Sequence, residues 1–167
     1  APVEAAPPAE EPAVEVFSDL PRRSVAFIGS ECHPFVKTGG LGDVMEALPA
    51  ALSRIPGNEV VLVLPYYKKI KENPTYPVRQ VAQCTVKLGW RRQYCGVNML
   101  KKDGVTYYFL DNKFYFGRPY VYGLGGDEYE RYSFFCRAVL NALPLLDFKP
   151  DVIHAHDWQS GMVPALL

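Results

Sequence analysis

Short apolar runs recur along the chain and predict the strands of a buried parallel sheet. Residues 24–29 and 60–64 are continuous apolar segments, the pattern of strands that are covered on both faces. Residues 151–156 form a third segment of this kind, which begins directly after Pro150. Helices are expected between these strands, as in other α/β proteins.

A helix is predicted between the first two strands, after a glycine-rich loop. Asp43 is its expected N-cap, and Glu46, three residues later, completes the pattern of a capping box. Pro49 lies inside the helical pattern and indicates either a kink or a later start of the helix. The predicted apolar face consists of residues at a spacing of four, Val44, Leu48 and Leu52.

The middle of the chain follows a different pattern. Residues 84–88, 94–100 and 105–110 are predicted strands, and Lys101-Lys102-Asp103-Gly104 between the last two is a hairpin signal. The aromatic, glycine-rich segment 114–126 is longer than a simple connection requires, which favours a functional loop.

A second long helix is predicted after this loop and should end before Pro144. Its apolar positions recur with the helical period, at Tyr132, Phe135, Cys136, Val139, Leu140 and Leu143. The whole pattern predicts an α/β fold with a doubly wound, mostly parallel sheet that carries a β-hairpin insertion.

Charge divides the chain into two unlike parts. It has 18 basic and 18 acidic residues, a balance that argues against a nucleic-acid partner. Residues 1–21 hold five acidic residues and no Lys or Arg, among prolines and alanines, so residues 1–22 are expected to be a disordered tether. This segment lacks the pattern of a secretory or transit peptide, and no apolar run is long enough to span a membrane. A cytoplasmic location is expected.

The cysteines are four in number and widely spaced, without a Cys-x-x-Cys pair. Idle thiols in a reducing compartment are therefore expected rather than disulfides or a thiolate zinc site.

The loop before the first helix could bind an anion. Gly39, Gly40 and Gly42 let the backbone approach a ligand, and the helix that follows offers free N–H groups. Lys37 adds a mobile positive charge suited to phosphate. Glycines in such a turn also serve merely to make it tight, so both interpretations stay open.

The end of the third strand is the second candidate. His154 and His156 share one face of the strand, as metal ligands or as core histidines bonded to the backbone would. Asp157 and Trp158 follow directly, and a carboxylate beside an aromatic face is a natural platform for a sugar.

Two blocks of sequence resemble the signatures of bacterial glycogen synthases and plant starch synthases. The first is Lys37-Thr38-Gly39-Gly40-Leu41-Gly42-Asp43-Val44, preceded by Ser30-Glu31, and the second is His154-Ala155-His156-Asp157-Trp158-Gln159-Ser160-Gly161-Met162. Leu88-Gly89-Trp90-Arg91 between them is similar to the bacterial branch. The resemblance covers residues 23–167 and not the tether.

The resemblance implies the N-terminal half of a two-domain GT-B glycosyltransferase that needs no metal or cofactor. Such enzymes transfer glucose from ADP-glucose to the non-reducing end of an α-1,4-glucan with retention of configuration. Because the C-terminal domain is absent from this sequence, the fragment alone is expected to be inactive. A non-catalytic sugar-nucleotide or glucan-binding module and a metal-dependent hydrolase are the alternatives.

The resemblance also implies roles for individual residues. Lys37 would contact the donor diphosphate and the transferred sugar, and Gly39 and Gly40 would give the diphosphate room. His156 and Asp157 are the implied catalytic residues. The other implied substrate-binding residues are Glu31, Asp43, Tyr122 and Trp158.

Overall fold

One six-stranded sheet organises the residues that the computed structural model describes, which are 21–123 and 126–167. The strands in chain order are β1 (Ser24–Ile28), β2 (Glu59–Pro65), β3 (Arg79–Leu88), β4 (Arg91–Lys102), β5 (Val105–Asp111) and β6 (Val152–Ala155). The α-helices are α1 (Gly40–Ser53), α2 (Lys68–Lys71), α3 (Lys113–Phe116), α4 (Glu128–Ala142) and α5 (Val163–Leu166). Two 3-10 turns follow α4 and β6, at Leu143–Leu145 and Trp158–Ser160.

The strands are ordered β3-β4-β5-β2-β1-β6 across the sheet. β5, β2, β1 and β6 run parallel, whereas β4 is antiparallel to both of its neighbours. The chain leaves β1 toward β2 and later returns past it to β6, so the winding direction reverses beside β1. The predicted doubly wound, mostly parallel sheet is confirmed, and the predicted hairpin extends one edge of it.

Apolar strands form the centre of the core, as their sequence predicts. Ala26, Phe27 and Ile28 of β1 have no exposed surface, and β2 is buried from Val60 onward. The predicted hairpin between β4 and β5 is also confirmed, with Asp103 and Gly104 at φ 50° and 80°. Positive φ at both central residues matches the twist of the flanking strands.

The third apolar segment is not buried as predicted. β6 lies at the edge of the sheet, where Val152 is 45% exposed and His154 is also exposed. An edge strand has only one neighbouring strand, so its side chains have fewer packing partners. The prediction of a strand is therefore confirmed, whereas its burial on both faces is wrong.

Helix α1 begins earlier than predicted, and its N-cap is Gly39 rather than Asp43. Both carboxylates of the expected capping box have other partners. Asp43 accepts a bond from Lys37 Nζ at 2.7 Å, and Glu46 pairs with His33 Nδ1 at 2.8 Å. The capping-box prediction is wrong because the helix already begins at Gly40, so that Asp43 lies inside the first turn and both carboxylates bond to side chains instead.

The buried face of α1 is also shifted from the predicted one. Val44 is 47% exposed, and the buried positions are Gly42, Met45 and Pro49. The helix continues through Pro49, so a later start is excluded. Proline has no N–H for the carbonyl of Met45, and the Cys32 thiol donates to that oxygen instead, at 3.4 Å.

Helix α4 confirms the periodic pattern and begins one turn before its predicted apolar positions, at Glu128. It ends at Ala142, and Pro144 lies in the 3-10 turn that follows. The aromatic loop is not entirely irregular, because its first residues form α3, which Asn112 caps by accepting a bond from Tyr115 N at 3.1 Å.

The predicted tether lies outside the described residues except for its last two positions. All four cysteines are free thiols in the structure. None of the helices in the described ranges is long and apolar enough to cross a membrane.

Candidate active site

The candidate residues collect beyond the carboxyl ends of β1 and β6, where the winding of the sheet reverses. Open α/β sheets bind ligands at this kind of switch point, because the loops there diverge and leave a crevice. The loop from Ser30 to Gly39 comes from β1, and the segment from His156 to Trp158 comes from β6. His156 N donates to Ile28 O at 2.9 Å, which fixes the two segments against each other.

Glu31 fixes the glycine-rich loop by accepting hydrogen bonds from it. It is 3% exposed and accepts bonds from the Tyr122 hydroxyl at 2.5 Å, the Thr38 hydroxyl at 2.7 Å and Gly39 N at 3.3 Å, as well as from Thr38 N. Burial opposes ionisation of this carboxyl, but the bonds from Tyr122, Thr38 and Gly39 outweigh burial and lower its pKa. Glu31 is therefore an ionised anchor that fixes the backbone of the loop.

Tyr122 joins the aromatic loop to this anchor. Its hydroxyl donates to Glu31, and it accepts a bond from the Ser30 hydroxyl at 2.8 Å. Burial, followed by the bond to Glu31, raises the pKa of Tyr122 well above its ordinary value, so the phenol stays protonated. The structure thus brings together two predicted site residues that are far apart in the sequence.

A buried arginine keeps the aromatic loop in place. Arg131 of α4 has no exposed surface, and its guanidinium donates to Tyr115 O at 3.0 Å, to Val121 O at 3.2 Å and to the Glu128 carboxylate. Sequence reasoning missed Arg131. Its spacing could have indicated burial, because Arg131 lies four positions before Phe135 and therefore on the apolar face of the predicted helix.

The N-terminus of α1 forms the open side of the loop. A Cβ atom at Gly39 or Gly40 would meet nothing within 4 Å, and no side chain caps the helix. Neither glycine is at positive φ, so the backbone conformation does not require glycine at either position. Packing within the described residues does not require it either. The first N–H groups of the helix and its dipole face this space, an arrangement suited to an anion.

Lys37 stands beside this N-terminus. Its ammonium group pairs with Asp43 in the first turn of α1, and both side chains are about half exposed, at 43% and 57%. Gly42 permits this position, because a Cβ there would lie 2.9 Å from Lys37 Cγ. The packing role of Gly42 was not predicted from the sequence.

The β6 side of the crevice carries both histidines and a strained turn. The rings of His154 and His156 are 4.2 Å apart, and Phe27 packs against each of them. Burial, with a smaller contribution from His154, lowers the pKa of His156. Its buried Nε2 has no hydrogen-bond partner among the described residues. Asp157 follows at φ 63° and ψ 177°, with its carboxylate bonded to Trp158 N at 2.7 Å.

Trp158 presents an aromatic face at the rim. It is 51% exposed and packs edge-on against Tyr132, with ring centroids 5.1 Å apart. Tyr132 also lies 6.3 Å from Tyr122, so it connects the two halves of the candidate site. A pocket of about 570 Å³ opens here, lined by Tyr122, Gly123, Gly126, Glu128, Tyr129 and Trp158. Tyr129 and Glu128 were not predicted as lining residues.

The predicted residues therefore form two groups beyond the carboxyl ends of the neighbouring strands β1 and β6. Glu31, Lys37 and Asp43 surround the glycine-rich loop, and His156, Asp157 and Trp158 form the turn after β6. The described residues contain no group of three or more His, Cys, Asp or Glu side chains arranged to hold a metal ion. The arrangement combines an uncapped helix end, which is suited to an anion, with an aromatic and carboxylate surface.

Comparison with known proteins gives consistent matches. The family model for the starch synthase catalytic domain matches residues 24–167. Glycogen synthases from Anoxybacillus flavithermus and Bacillus subtilis are 52% and 48% identical over 143 residues, which is 86% of this chain and 29% of each relative. The catalytic domain of starch synthase IV from Arabidopsis thaliana, solved with ADP and acarbose, matches with a TM-score of 0.78 and 31% identity over 87% of this chain and 30% of that one. The chain thus spans about 29% of the length of these glycogen synthases.

Proposed function

The chain belongs to the starch synthase catalytic-domain family, and we propose that it supplies one half of an enzyme that transfers glucose from ADP-glucose to the non-reducing end of an α-1,4-glucan. It does so with retention of configuration. The observation that carries the proposal is the uncapped N-terminus of α1, where Gly39 and Gly40 leave open space beside Lys37.

The donor diphosphate is the group that fits this space. When the nucleoside diphosphate leaves, negative charge grows on phosphate oxygens, and fixed positive charge aimed at those oxygens stabilises the transition state. The N–H groups of Gly40 and Leu41 and the ammonium group of Lys37 provide such charge. Lys37 exchanges its bond to Asp43 for one to phosphate, which its flexible side chain allows.

The β6 side is proposed to receive the sugar and the acceptor. Asp157 accepts hydrogen bonds from sugar hydroxyls, and the Trp158 ring stacks on an apolar sugar face. His156 orients the reacting groups from its partly buried position, and its buried Nε2 has no hydrogen-bond partner among the described residues. Tyr122 and Asp43 border the same crevice. Glu31 is a positioning residue, because its buried carboxylate is already occupied by donors of the loop.

The family match supports the following proposed organisation. Residues 23–167 form the N-terminal Rossmann-like half, residues 1–22 form a tether, and a second nucleotide-binding half completes the active site. We also propose a cytoplasmic location and no cofactor.

The donor site is tested by titrating ADP into the chain in a calorimeter. Lys37→Met should weaken ADP binding about tenfold, because a charge-assisted bond contributes about 1.5–3 kcal/mol and part of it is offset by Asp43. Lys87→Met is the matched control, since Lys87 is an exposed lysine on β3. Equal affinities for the wild type and Lys37→Met would contradict the donor site.

The reaction is tested with the longest natural polypeptide that contains this chain. Incubation with ADP-glucose and maltooligosaccharides should give products longer by single glucose units, and UDP-glucose in place of ADP-glucose defines the donor. Binding of both ligands without transfer would favour the alternative of a binding module.

A further inference from the structure

Two of the four cysteines face each other across the hairpin that β3 and β4 form at the edge of the sheet. Cys84 of β3 and Cys95 of β4 are direct partners in the antiparallel register. Directly opposed residues in such a pair have Cα atoms about 4.5–5.5 Å apart. A disulfide needs a Cα separation of about 4.4–6.8 Å. The two backbones therefore lie at bonding separation without any rearrangement.

The two side chains also point in the same direction. Opposed residues of an antiparallel pair project from the same face of the sheet. Alternation places Cys84 with Val86, and Cys95 with Val97, on the face that the core covers. Each thiol perturbs the pKa of the other, which requires the two sulfur atoms to be neighbours.

Access differs between the two thiols. Cys95 has no exposed surface, whereas Cys84 is partly exposed on the edge strand. Burial raises the pKa of both thiols, so few thiolates are present at neutral pH and oxidation is slow. An oxidant in solution therefore meets Cys84 first.

We propose that Cys84 and Cys95 form a reversible cross-strand disulfide when the folded chain meets a disulfide oxidant such as glutathione disulfide. The Cys84 thiolate attacks one sulfur of the oxidant, and one glutathione leaves and takes up a proton. The Cys95 thiolate then attacks Cys84 Sγ, which releases the second glutathione. Two protein thiols are oxidised, and one glutathione disulfide is reduced to two glutathione molecules.

The new bond would fasten the β3–β4 hairpin, which an ion pair connects to the helix that lines the candidate pocket. β4 begins at Arg91, whose guanidinium pairs with Glu130 on α4, the helix that also supplies Tyr129 to the pocket. Closing the loop between residues 84 and 95 should raise the Tm of the chain by about 3–8 °C, since it restricts the unfolded state. The inference does not depend on the proposed transferase activity.

Mass spectrometry of the full chain tests the proposal. The reduced protein is equilibrated with glutathione and glutathione disulfide for hours, quenched with acid, unfolded and alkylated. We expect a mass lower by two hydrogens, two alkylated cysteines in place of four, and one linked peptide pair that contains Cys84 and Cys95. Cys32 and Cys136, which lie elsewhere in the core, should both be alkylated.

Three variants make the result specific. Cys95→Ser should stop at a mixed disulfide of Cys84 with glutathione, and Cys84→Ser should give no internal link. Cys136→Ser is the matched control and should form the link as the wild type does. Four alkylated cysteines in the wild type after equilibration would overturn the proposal. A link that involves Cys32 or Cys136 would also overturn it, and a lower Tm on oxidation would refute the stabilising effect of the bond.

Discussion

The turn after β6 stores backbone strain that substitution at Asp157 should reveal. Asp157 has φ 63° and ψ 177°, a conformation that essentially only glycine adopts without cost. The surrounding bonds hold it there, because Ser160 Oγ donates to His156 O at 2.6 Å and His156 N donates to Ile28 O at 2.9 Å. Asp157→Ala and Asp157→Gly both remove the carboxylate bond to Trp158 N, but only glycine removes the strain.

The difference between these two variants isolates the strain. A residue in such a region costs about 1–3 kcal/mol. About 0.4–1 kcal/mol of the strain relieved by glycine is offset, because the unfolded chain is more flexible with glycine than with alanine. Asp157→Gly should therefore be more stable than Asp157→Ala by about 1–2 kcal/mol. For a chain of this size that difference corresponds to a Tm about 2–8 °C higher.

Thermal unfolding followed by circular dichroism measures the comparison. Ala47→Gly in the exposed part of α1 is the control, because glycine at an ordinary helical position should lower stability by about 1 kcal/mol. Glycine in place of alanine should thus raise stability at position 157 and lower it at position 47. If Asp157→Ala is as stable as Asp157→Gly, the turn is not strained and the reasoning fails. We also expect Asp157→Gly to weaken glucan binding, since the turn faces the crevice.

Three further predictions concern the crevice. Glu31→Gln should lower stability at pH 7 by about 1–3 kcal/mol. Because the folded pKa of Glu31 lies below 4.5, the difference in stability between wild type and Glu31→Gln should shrink as the pH falls below that value, as acid unfolding would measure. Wild-type stability should decrease as the pH falls through 6.5, because His156 then binds a proton in the unfolded chain but not yet in the folded one. Chemical unfolding of His156→Asn should therefore show a flatter dependence of stability on pH. Gly40→Ala should leave Tm unchanged or raise it slightly, because alanine is the better helix former and its Cβ meets nothing, but it should weaken ADP binding in calorimetry. Gly42→Ala should lower Tm because its new Cβ presses on Lys37. A lower Tm in Gly40→Ala would contradict the open space at that position.

The sequence was sufficient where the signal is local and periodic. Continuous apolar runs predicted β1 and β2, the helical period predicted α4, and Asp103-Gly104 predicted the hairpin, because each pattern lies within a few residues of the element it forms. The resemblance in two blocks also led to the family. The predicted N-cap at Asp43 was wrong because its partner, Lys37, lies outside the helix.

Contacts between distant residues were decided by the tertiary structure alone. Glu31 meets Tyr122 only because the winding of the sheet brings the aromatic loop over the end of β1. Cys84 and Cys95 face each other only because the β3–β4 register opposes them, although their spacing suggested idle thiols. Propensity and hydrophobic pattern act over short stretches of chain, whereas the partner of a buried polar group depends on how the elements pack.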